Sequence, residues 1–329
     1  MNQELKEKLA GRRVVASISG GKDSAALSLW LKEQGIDHDR VFMDTGWEHE
    51  ATYEYLRGEL TRVIGPITEI RGTRTMEDLV KWKGMFASRV RRFCTEELKV
   101  SPMQKFLNLR VEAGDDVANA VGIRRDESEA RSKMAEWEWS EGFDCEVWRP
   151  LVNWSVDDVI NIHHRHGLRP NPLYLKGATR VGCWPCIFAR KSEIRLIADI
   201  DPARIERMRK LESAVAESAL ARYERDKQEW LANTPPEPQA GTEAHTRWTS
   251  KRDRLSRPFQ KPTWFQSQKK NEDGKYPMTP IDSAVEWSRT KHGGKEVEIF
   301  APSDRDTGCL RWGLCETPKQ LDLIPPEEK

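Results

Sequence analysis

The sequence predicts an α/β protein: a doubly wound, mostly parallel sheet with helices on both faces, followed by a C-terminal helical and irregular extension. Two observations support this prediction. Short β-branched runs alternate with helical patterns over residues 1–160, which is typical of a parallel sheet covered by helices. A proline-rich stretch at residues 234–238 then marks a change in composition and predicts a linker.

Individual elements follow from local patterns. Apolar runs of strand length occur at four places, which are Val14–Ile18, Val41–Met43, Ile67–Ile70 and Val117–Val121. Between the first two runs, apolar residues recur at helical spacing until Gly35, a residue type that commonly ends helices. Ser155 precedes an acidic turn and therefore predicts a helix N-cap. A charged pattern over residues 202–233 predicts a long, mostly exposed helix.

The chain is long enough for more than one compact part. Its 329 residues, of which 37% are hydrophobic, exceed the needs of one ordinary core. We expect a main α/β domain over residues 1–200, a long helix over 201–233, and a basic, aromatic-containing region over 234–329.

The balance of charge excludes a global attraction to nucleic acid or membrane. The 54 Lys and Arg residues nearly match the 53 Asp and Glu residues, for a net charge of +1. Apolar runs fall far short of the ~20 residues that a membrane span needs, and the N-terminus is too charged for a secretory signal. We therefore expect a cytoplasmic protein without a membrane partner. In that compartment its cysteines would be metal ligands, nucleophiles or core thiols rather than disulfides.

A glycine-containing turn leads from the first predicted strand directly into the first helix. Residues 17–24 read Ser-Ile-Ser-Gly-Gly-Lys-Asp-Ser. Such a turn gathers backbone N–H groups at a helix N-terminus, where the helix dipole favours an anion, so phosphate is the natural ligand. The contiguous glycines exclude both the common P-loop and the dinucleotide fingerprint. The alternative is a turn that binds nothing.

This turn resembles the pyrophosphatase loop of the adenine nucleotide alpha hydrolase superfamily, whose members bind ATP or an adenylyl compound. The resemblance implies that Lys22 and Ser24 hold phosphates and that Asp23 positions a metal or the loop. The run Met43–Trp47 looks like the Asp-Thr-Gly element that this superfamily places near the nucleotide, although Asp44 alone reads as a residue that caps its strand. The nucleotide-binding candidates from these two segments are Ser17, Ser19, Gly20, Gly21, Lys22, Asp23, Ser24, Asp44 and Thr45.

An arginine-rich element, residues 122–131, follows the fourth predicted strand. At the carboxyl end of a strand in a doubly wound sheet, guanidinium groups face the crevice where ligands bind, and their forked donors suit phosphate or sulfate oxygens. Gly122 and Arg131 are therefore further nucleotide-binding candidates. The catalytic candidates are Lys22, Asp23, Arg124 and Arg125. The alternative is a solvated helix start balanced by neighbouring acids.

Three further motifs follow in order, at residues 149–159, 170–174 and 182–186. Together with the motifs described above, they are similar to the phosphoadenylyl-sulfate (PAPS) reductase family, and the similarity extends from about residue 14 to residue 193. The Gly-Ile-Arg-Arg-Asp-Glu-Ser run is also similar to the small subunit of sulfate adenylyltransferase. That subunit does not characteristically carry a Cys-x-x-Cys after the Asn-Pro-Leu-Tyr segment, which is at residues 171–174 in this sequence.

Cys183 and Cys186 have the spacing of paired metal or cluster ligands. Cys94 lies in a segment similar to the one where iron–sulfur members of the family carry adjacent cysteines, and Thr95 stands at the second of those positions. One ligand is therefore missing, and we expect Cys315 to supply it.

The resemblance implies a [4Fe-4S] cluster, because soft thiolates suit iron–sulfur chemistry. Zinc, a redox dithiol and buried thiols are the alternatives, and Cys309 is the alternative fourth ligand. Cys145 is predicted to be a core thiol.

Two departures from the reductase pattern favour ATP-dependent chemistry. The sequence lacks the C-terminal Glu-Cys-Gly-x-His segment of the reductases. Its glycine-containing turn at residues 17–24, which we call the phosphate loop, is complete. We therefore expect ATP or an adenylyl sulfate as substrate for adenylation-coupled sulfur transfer, with Mg²⁺ on the phosphates and a sulfur-donor protein as partner. The alternatives are reduction of an adenylyl sulfate to sulfite with a thiol reductant, a role like that of sulfate adenylyltransferase, and a non-catalytic nucleotide-binding module.

Basic and aromatic residues are interleaved over residues 247–270. Cationic side chains contact phosphates and aromatic faces stack on bases, so this stretch predicts a local surface for a nucleic-acid acceptor. The alternative is a surface extension whose lysines serve solubility.

Overall fold

The computed structural model describes residues 3–88, 90–267, 272 and 277–290. These residues form two compact units, the first from residues 3–76 and 93–189, the second from 77–92 and 190–290. The helices are α1 (Gln3–Lys8), α2 (Lys22–Glu33), α3 (Glu50–Tyr55), α4 (Thr61–Ile64), α5 (Met76–Lys83), α6 (Phe93–Thr95), α7 (Ser101–Glu112), α8 (Glu129–Ser132), α9 (Val156–Arg165), α10 (Pro172–Leu175), α11 (Lys191–Ile200), α12 (Pro202–Ala232), α13 (Glu243–Ser256) and α14 (Ile281–Ser288). The strands are β1 (Arg12–Ile18), β2 (His38–Asp44), β3 (Thr68–Arg71), β4 (Asp116–Ala120), β5 (Trp137–Ser140), β6 (Cys145–Trp148), β7 (Phe265–Gln266) and β8 (Met278–Thr279).

The first unit is built on a six-stranded sheet with the order β3-β2-β1-β4-β6-β5. All neighbouring strands pair in parallel except β5, which runs antiparallel to β6 at one edge. The predicted doubly wound, mostly parallel α/β fold is therefore confirmed. The chain winds outward from β1 in one direction and resumes from β4 in the other, so β1 and β4 flank the topological switch point. In such sheets the crevice beyond the carboxyl ends of these strands is where ligands bind.

Apolar cores cover both faces of this sheet. Successive residues of a strand point to opposite faces, so Val14, Ala16 and Ile18 join one cluster while Val15 joins the other. The second cluster also contains Cys145, which confirms its prediction as a core thiol. Burial raises the pKa of the Cys145 thiol to about 11.

The strongest sequence patterns predicted the correct elements. The four predicted strands correspond to β1 to β4, and the long charged pattern forms the 31-residue helix α12. Ser155 caps α9 as expected, accepting a hydrogen bond from the Asp158 backbone N–H. The strands β5 and β6 were not predicted, because each has only four residues, which is too short for a clear periodic pattern.

In the second unit a buried carboxylate joins α12 to the chain that follows it. Glu212 accepts backbone hydrogen bonds from Trp264 at 2.8 Å and Ile281 at 3.1 Å. The described residues on both sides of position 233 lie in one compact unit. The division into residues 1–200, 201–233 and 234–329 stays a prediction. Among the described residues, no helix has both the length and the apolar character to cross a bilayer.

Several basic and aromatic side chains of residues 247–270 are buried or have partners within the second unit. Trp264 and Phe265 are buried, so the prediction that they stack on bases is wrong. Arg247 and Arg254 form ion pairs with acids of the same unit. Trp248 is half-buried and packs on Trp230 at a ring distance of 5.6 Å. The predicted basic residues Lys269 and Lys270 lie outside the described residues.

Candidate functional site

The phosphate loop joins β1 to α2, as predicted. Gly20 has a φ of +73°, and a Cβ there would lie 2.9 Å from Thr52 Cγ2, so this position requires glycine. Ser24 Oγ accepts from the Ser19 N–H at 3.0 Å and donates to Gly21 O at 3.0 Å. These bonds close the loop on itself. Ser24 therefore shapes the loop in the structure, and its predicted contact with phosphate remains a prediction.

The Ser19 hydroxyl belongs to the same small network, 3.1 Å from Ser24 Oγ. It also accepts from the Gly21 N–H at 3.4 Å. Ser17 stands one residue before the end of β1 and is half-buried. The three predicted serines are thus arranged along the end of β1 and the first turn of α2.

A chain of charges runs from the phosphate loop to the arginine element. Lys22 Nζ lies 2.7 Å from Asp23 Oδ2, and Arg124 Nε donates to Asp23 Oδ1 at 2.6 Å. Arg124 also pairs with Asp126 at 2.6 Å and is only 2% exposed. Burial alone would raise the pKa of Asp23, but the charges of Lys22 and Arg124 outweigh it and lower that pKa. Asp23 is therefore an ionised carboxylate shared by two cations.

The other two arginines of the element bind within their own region. Arg125 donates to the Met134 carbonyl through Nε at 3.2 Å and Nη2 at 3.0 Å, and its Nη1 contacts Asn153. Arg131 pairs with Glu127. The structure thus brings Arg124, but not the guanidinium groups of Arg125 and Arg131, to the side chains of the phosphate loop.

Gly122 explains why this element lies so close to α2. A Cβ on Gly122 would stand 2.6 Å from the Asp23 carbonyl oxygen, a distance that backbone atoms cannot easily relieve. Only glycine lets the backbone after β4 approach the first turn of α2 this closely.

The Asp-Thr-Gly turn at the end of β2 is held by its own side chains. Asp44 Oδ1 accepts from the Gly46 N–H at 2.8 Å and from the Tyr53 hydroxyl at 2.7 Å, and Oδ2 pairs with Arg71. Asp44 therefore caps its strand, which is the alternative that the sequence left open. The Thr45 hydroxyl donates to the buried Glu48 carboxylate at 2.8 Å.

The same turn contacts the Cys-x-x-Cys segment. Trp47 Nε1 donates to Pro185 O at 3.2 Å, and Trp47 O accepts from the Trp184 N–H at 2.9 Å. Cys183 Sγ lies 3.8 Å from Thr45 Oγ1 and 3.9 Å from Glu48 Oε1. Trp47 and Glu48 were not among the predicted site residues, although both adjoin the Asp-Thr-Gly motif.

Three predicted cysteine ligands share one neighbourhood. Burial raises the pKa of the Cys183 thiol to about 11, against the opposing charge of Lys99. Burial also raises the pKa of Cys94, with a further contribution from Cys186. Lys99 in turn has its pKa raised, first by the charge of Cys183. The thiols of Cys94, Cys183 and Cys186 are thus close enough to influence one another or a common lysine.

As placed, the described part of the chain contains no group of three or more His, Cys, Asp or Glu side chains that could hold a metal ion. The donor chemistry of the three thiols still suits iron–sulfur or zinc binding. The predicted fourth ligand, Cys315, and its alternative, Cys309, lie outside the described residues.

Three buried side chains from residues 163–174 also contact the phosphate loop. His163 Nε2 lies 2.9 Å from Lys22 O, and Asn171 Nδ2 donates to Gly20 O at 3.2 Å. The Tyr174 hydroxyl accepts from the Lys22 N–H at 3.2 Å. Asn171 and Tyr174 belong to the Asn-Pro-Leu-Tyr motif, which the sequence marked only by its resemblance to the family. His163 carried no signal, because a histidine on an apolar helix face gives no indication of its partner.

Comparisons with known proteins agree with this architecture. Residues 13–189 match the model of the phosphoadenosine phosphosulfate reductase domain. An uncharacterised 37.8 kDa protein of Escherichia phage 186 is 35% identical over 253 residues, which are 61% of this chain and 75% of the phage protein. The adenosine 5'-phosphosulfate reductase of Streptomyces coelicolor is 32% identical over 149 residues, which are 45% of this chain and 61% of that enzyme.

A solved structure is also similar. The phosphoadenylyl-sulfate reductase of Candida auris, in a phosphate complex, aligns with a TM-score of 0.41 and 19% identity, covering 56% of this chain and 96% of that one. The family model spans more than half of the sequence and contains the phosphate loop, the arginine element and the Cys-x-x-Cys segment. The chain therefore belongs to the phosphoadenosine phosphosulfate reductase family.

Proposed function

We propose that this chain is an enzyme that binds ATP or an adenylyl sulfate at its phosphate loop and carries out adenylation-coupled sulfur transfer. The observation that carries the proposal is the complete loop between β1 and α2, with Lys22 at its end and an ionised Asp23 held by the buried Arg124. Backbone N–H groups at a helix N-terminus supply an anion site without any further cofactor.

In this proposal Lys22 and Asp23 have different tasks. The Lys22 ammonium transfers from Asp23 to a phosphate oxygen when the nucleotide binds. Arg124 continues to balance the charge of Asp23, so the carboxylate stays ionised within a mostly buried site. Mg²⁺ would offset the phosphate charge, and Asp23 offers it a carboxylate from the loop itself. The predicted nucleotide contacts of Arg125 and Arg131 would require both side chains to leave their present partners.

The chemistry requires two displacements. The acceptor's oxygen attacks the α-phosphorus of ATP, and pyrophosphate leaves. A sulfide-level sulfur nucleophile, delivered by a donor protein, then attacks the acceptor atom, and AMP leaves with the original oxygen. Adenylation is needed because an unactivated oxygen is a poor leaving group.

Reduction of an adenylyl sulfate is the second candidate. It is favoured by the sequence similarity to an adenosine 5'-phosphosulfate reductase. A thiol would attack the sulfur of the substrate and release AMP, and a second thiol would then release sulfite as a disulfide forms. Because Cys183 and Cys186 are predicted cluster ligands, this route calls for a thiol from elsewhere in the chain or from a reductant protein.

We also propose that Cys94, Cys183 and Cys186 provide three thiolates of a [4Fe-4S] cluster, with Cys315 as the fourth. Thr45, Glu48 and Lys99 would hold Cys183 in place. When bound, such a cluster would supply a redox-active iron–sulfur centre that is held by soft thiolate ligands. Iron and acid-labile sulfide analysis after anaerobic purification tests this proposal. Cys186→Ser should lower both contents, whereas Cys145→Ser should not, because Cys145 lies in the apolar core.

Nucleotide binding decides between the two reactions. Titration with ATP, adenylyl sulfate and its 3'-phosphorylated form should give the tightest binding for ATP, and turnover should release AMP and pyrophosphate. Lys22→Ala should weaken ATP binding at least about tenfold, the effect of losing a charge-assisted contact. Lys32→Ala, in the same helix, is the control, because Lys32 Nζ bonds to Val63 O instead.

Tight binding of an adenylyl sulfate with sulfite release, and no AMP from ATP, would establish the second candidate. Unchanged ATP binding by the Lys22→Ala variant would contradict the proposed role of the loop.

A further inference from the structure

Three buried side chains that lie outside the phosphate loop in sequence contact its backbone, and we call this group the clamp. Its members, His163, Asn171 and Tyr174, are at most 5% exposed and come from α9 and the segment that ends in α10. Each contacts a backbone atom of the loop. None of the three belongs to the loop, the arginine element or the cysteine ligands, so the proposed reaction assigns them no role.

The clamp fixes the direction of the loop's N–H groups. In a trans peptide the C=O and the following N–H point in opposite directions. Asn171, by donating to Gly20 O, therefore orients the N–H of Gly21. His163 acts in the same way on Lys22 O, whose peptide carries the N–H of Asp23.

The chemistry of each contact is consistent with a fixed clamp. A carbonyl can only accept, so His163 must donate through Nε2. Burial lowers the pKa of His163 to about 4, which keeps the ring neutral at pH 7 and defines one tautomer. Asn171 uses its carbonyl oxygen to accept from the Leu173 N–H at 3.0 Å, which leaves Nδ2 facing the loop.

Tyr174 contacts the peptide between these two. Its hydroxyl accepts the Lys22 N–H at 3.2 Å and also contacts the backbone of Val181. A Cβ on Gly21 would lie 3.4 Å from the same oxygen, so the hydroxyl touches the loop itself. A phenylalanine could fill the same space but could not accept this hydrogen bond.

We propose that Tyr174 is a positioning residue for the phosphate chain of the nucleotide, with Asn171 and His163 completing the clamp. The inference rests on the proposed function in one respect, that the loop binds phosphate. It extends that function by assigning part of the affinity for the phosphate chain to the Tyr174 hydroxyl, which contacts the loop backbone. We expect the clamp to affect binding of the phosphate chain rather than of the nucleoside, because each member contacts the backbone of the loop that would bind the phosphates.

The test compares Tyr174→Phe with Tyr55→Phe. Both tyrosines are 5% exposed, and the Tyr55 hydroxyl also bonds to the backbone, at Arg169 O at 2.9 Å. Loss of one hydrogen bond to the loop should weaken ATP binding about fivefold to tenfold in the Tyr174→Phe variant. Competition by adenosine, which has no phosphate, should stay unchanged. Tyr55→Phe should leave both affinities at the wild-type value.

A second measurement needs no variant. Amide hydrogen exchange of the wild-type protein without nucleotide should show a protected Lys22 N–H, because Tyr174 already bonds to it. Rapid exchange at Lys22 would overturn the clamp even if the Tyr174→Phe variant failed to fold.

Other outcomes separate the clamp from the proposed function. Equal losses for ATP and adenosine in Tyr174→Phe would reduce Tyr174 to a structural residue, and an unchanged ATP affinity would remove its role altogether; either result leaves the proposed function standing. A wild-type protein that binds adenosine but no phosphorylated nucleotide would overturn both.

Discussion

The phosphate loop and the arginine element were both predicted to face the ligand, yet the fold uses them differently. In the loop the backbone would supply the proposed contacts with phosphate, and glycines together with the strand-to-helix transition determine its path. In the arginine element the side chains were expected to be functional, but their donors bind Asp23, Asp126, Glu127 and the Met134 carbonyl. A local pattern can specify the path of a backbone, whereas the partner of a long side chain depends on residues far away in the sequence.

The largest effect should come from separating the two regions at Arg124. Arg124→Met removes one partner of a buried carboxylate, which typically costs about 3 to 5 kcal/mol of unfolding free energy. Chemical denaturation measures this loss, and ATP titration should show weakened binding because Asp23 then competes fully for Lys22. The control is Arg131→Met, because the Arg131 side chain is 38% exposed and that of Arg124 only 3%. We expect Arg131→Met to cost less than about 0.5 kcal/mol. Equal losses of unfolding free energy in both variants would mean that the ion pair between Arg124 and Asp23 contributes no more to stability than an exposed ion pair.

A smaller effect tests the backbone contact between the two regions. Gly122→Ala places a methyl group against the Asp23 carbonyl, and overpacking of this kind costs about 1 to 3 kcal/mol. Gly58→Ala serves as the control, because a methyl group added there would meet no atom within 4 Å and the residue lies in the π-helical segment Leu56–Leu60 between α3 and α4. That control should stabilise the protein by up to about 1 kcal/mol. A Gly122→Ala protein as stable as the wild type would mean that the element can move away from α2 without cost.

The third prediction concerns pH and the clamp on the loop. Unfolded His163 takes up a proton below pH 6.5, whereas burial lowers its folded pKa to about 4. The unfolded state therefore binds more protons between these values, and the free energy of unfolding falls as the pH is lowered. From pH 7 to pH 5 the contribution of this residue is about 2 kcal/mol. Denaturation curves should show a flatter pH dependence for His163→Gln than for the wild type. Parallel pH profiles would exclude His163 as a buried neutral group.

Sequence reasoning recovered the parts of the molecule that are encoded locally. The strands β1 to β4, the loop with Gly20 and the capped helix α9 follow from periodicity, glycine positions and an N-cap serine. These signals occupy contiguous residues, so a single sequence is enough to read them.

Contacts across long sequence separations were not predictable in the same way. Arg124 meets Asp23 across 101 positions, and Trp47 donates to Pro185 across 138. The aromatic residues Trp264 and Phe265 looked like a stacking surface but belong to the core of the second unit. Composition gives the residue types of such a stretch, whereas burial depends on which part of the chain folds back onto it.

The segment from His163 to Cys186 has one consequence for the redesign of this protein. Its first half touches the phosphate loop through Tyr174, and its second half is docked on the Asp-Thr-Gly turn through Trp184 and Pro185. Because both attachments lie on one continuous stretch, a chimera with a relative should exchange residues 163–186 as a single cassette together with Trp47. A crossover placed inside the cassette would graft one attachment and leave the other mismatched.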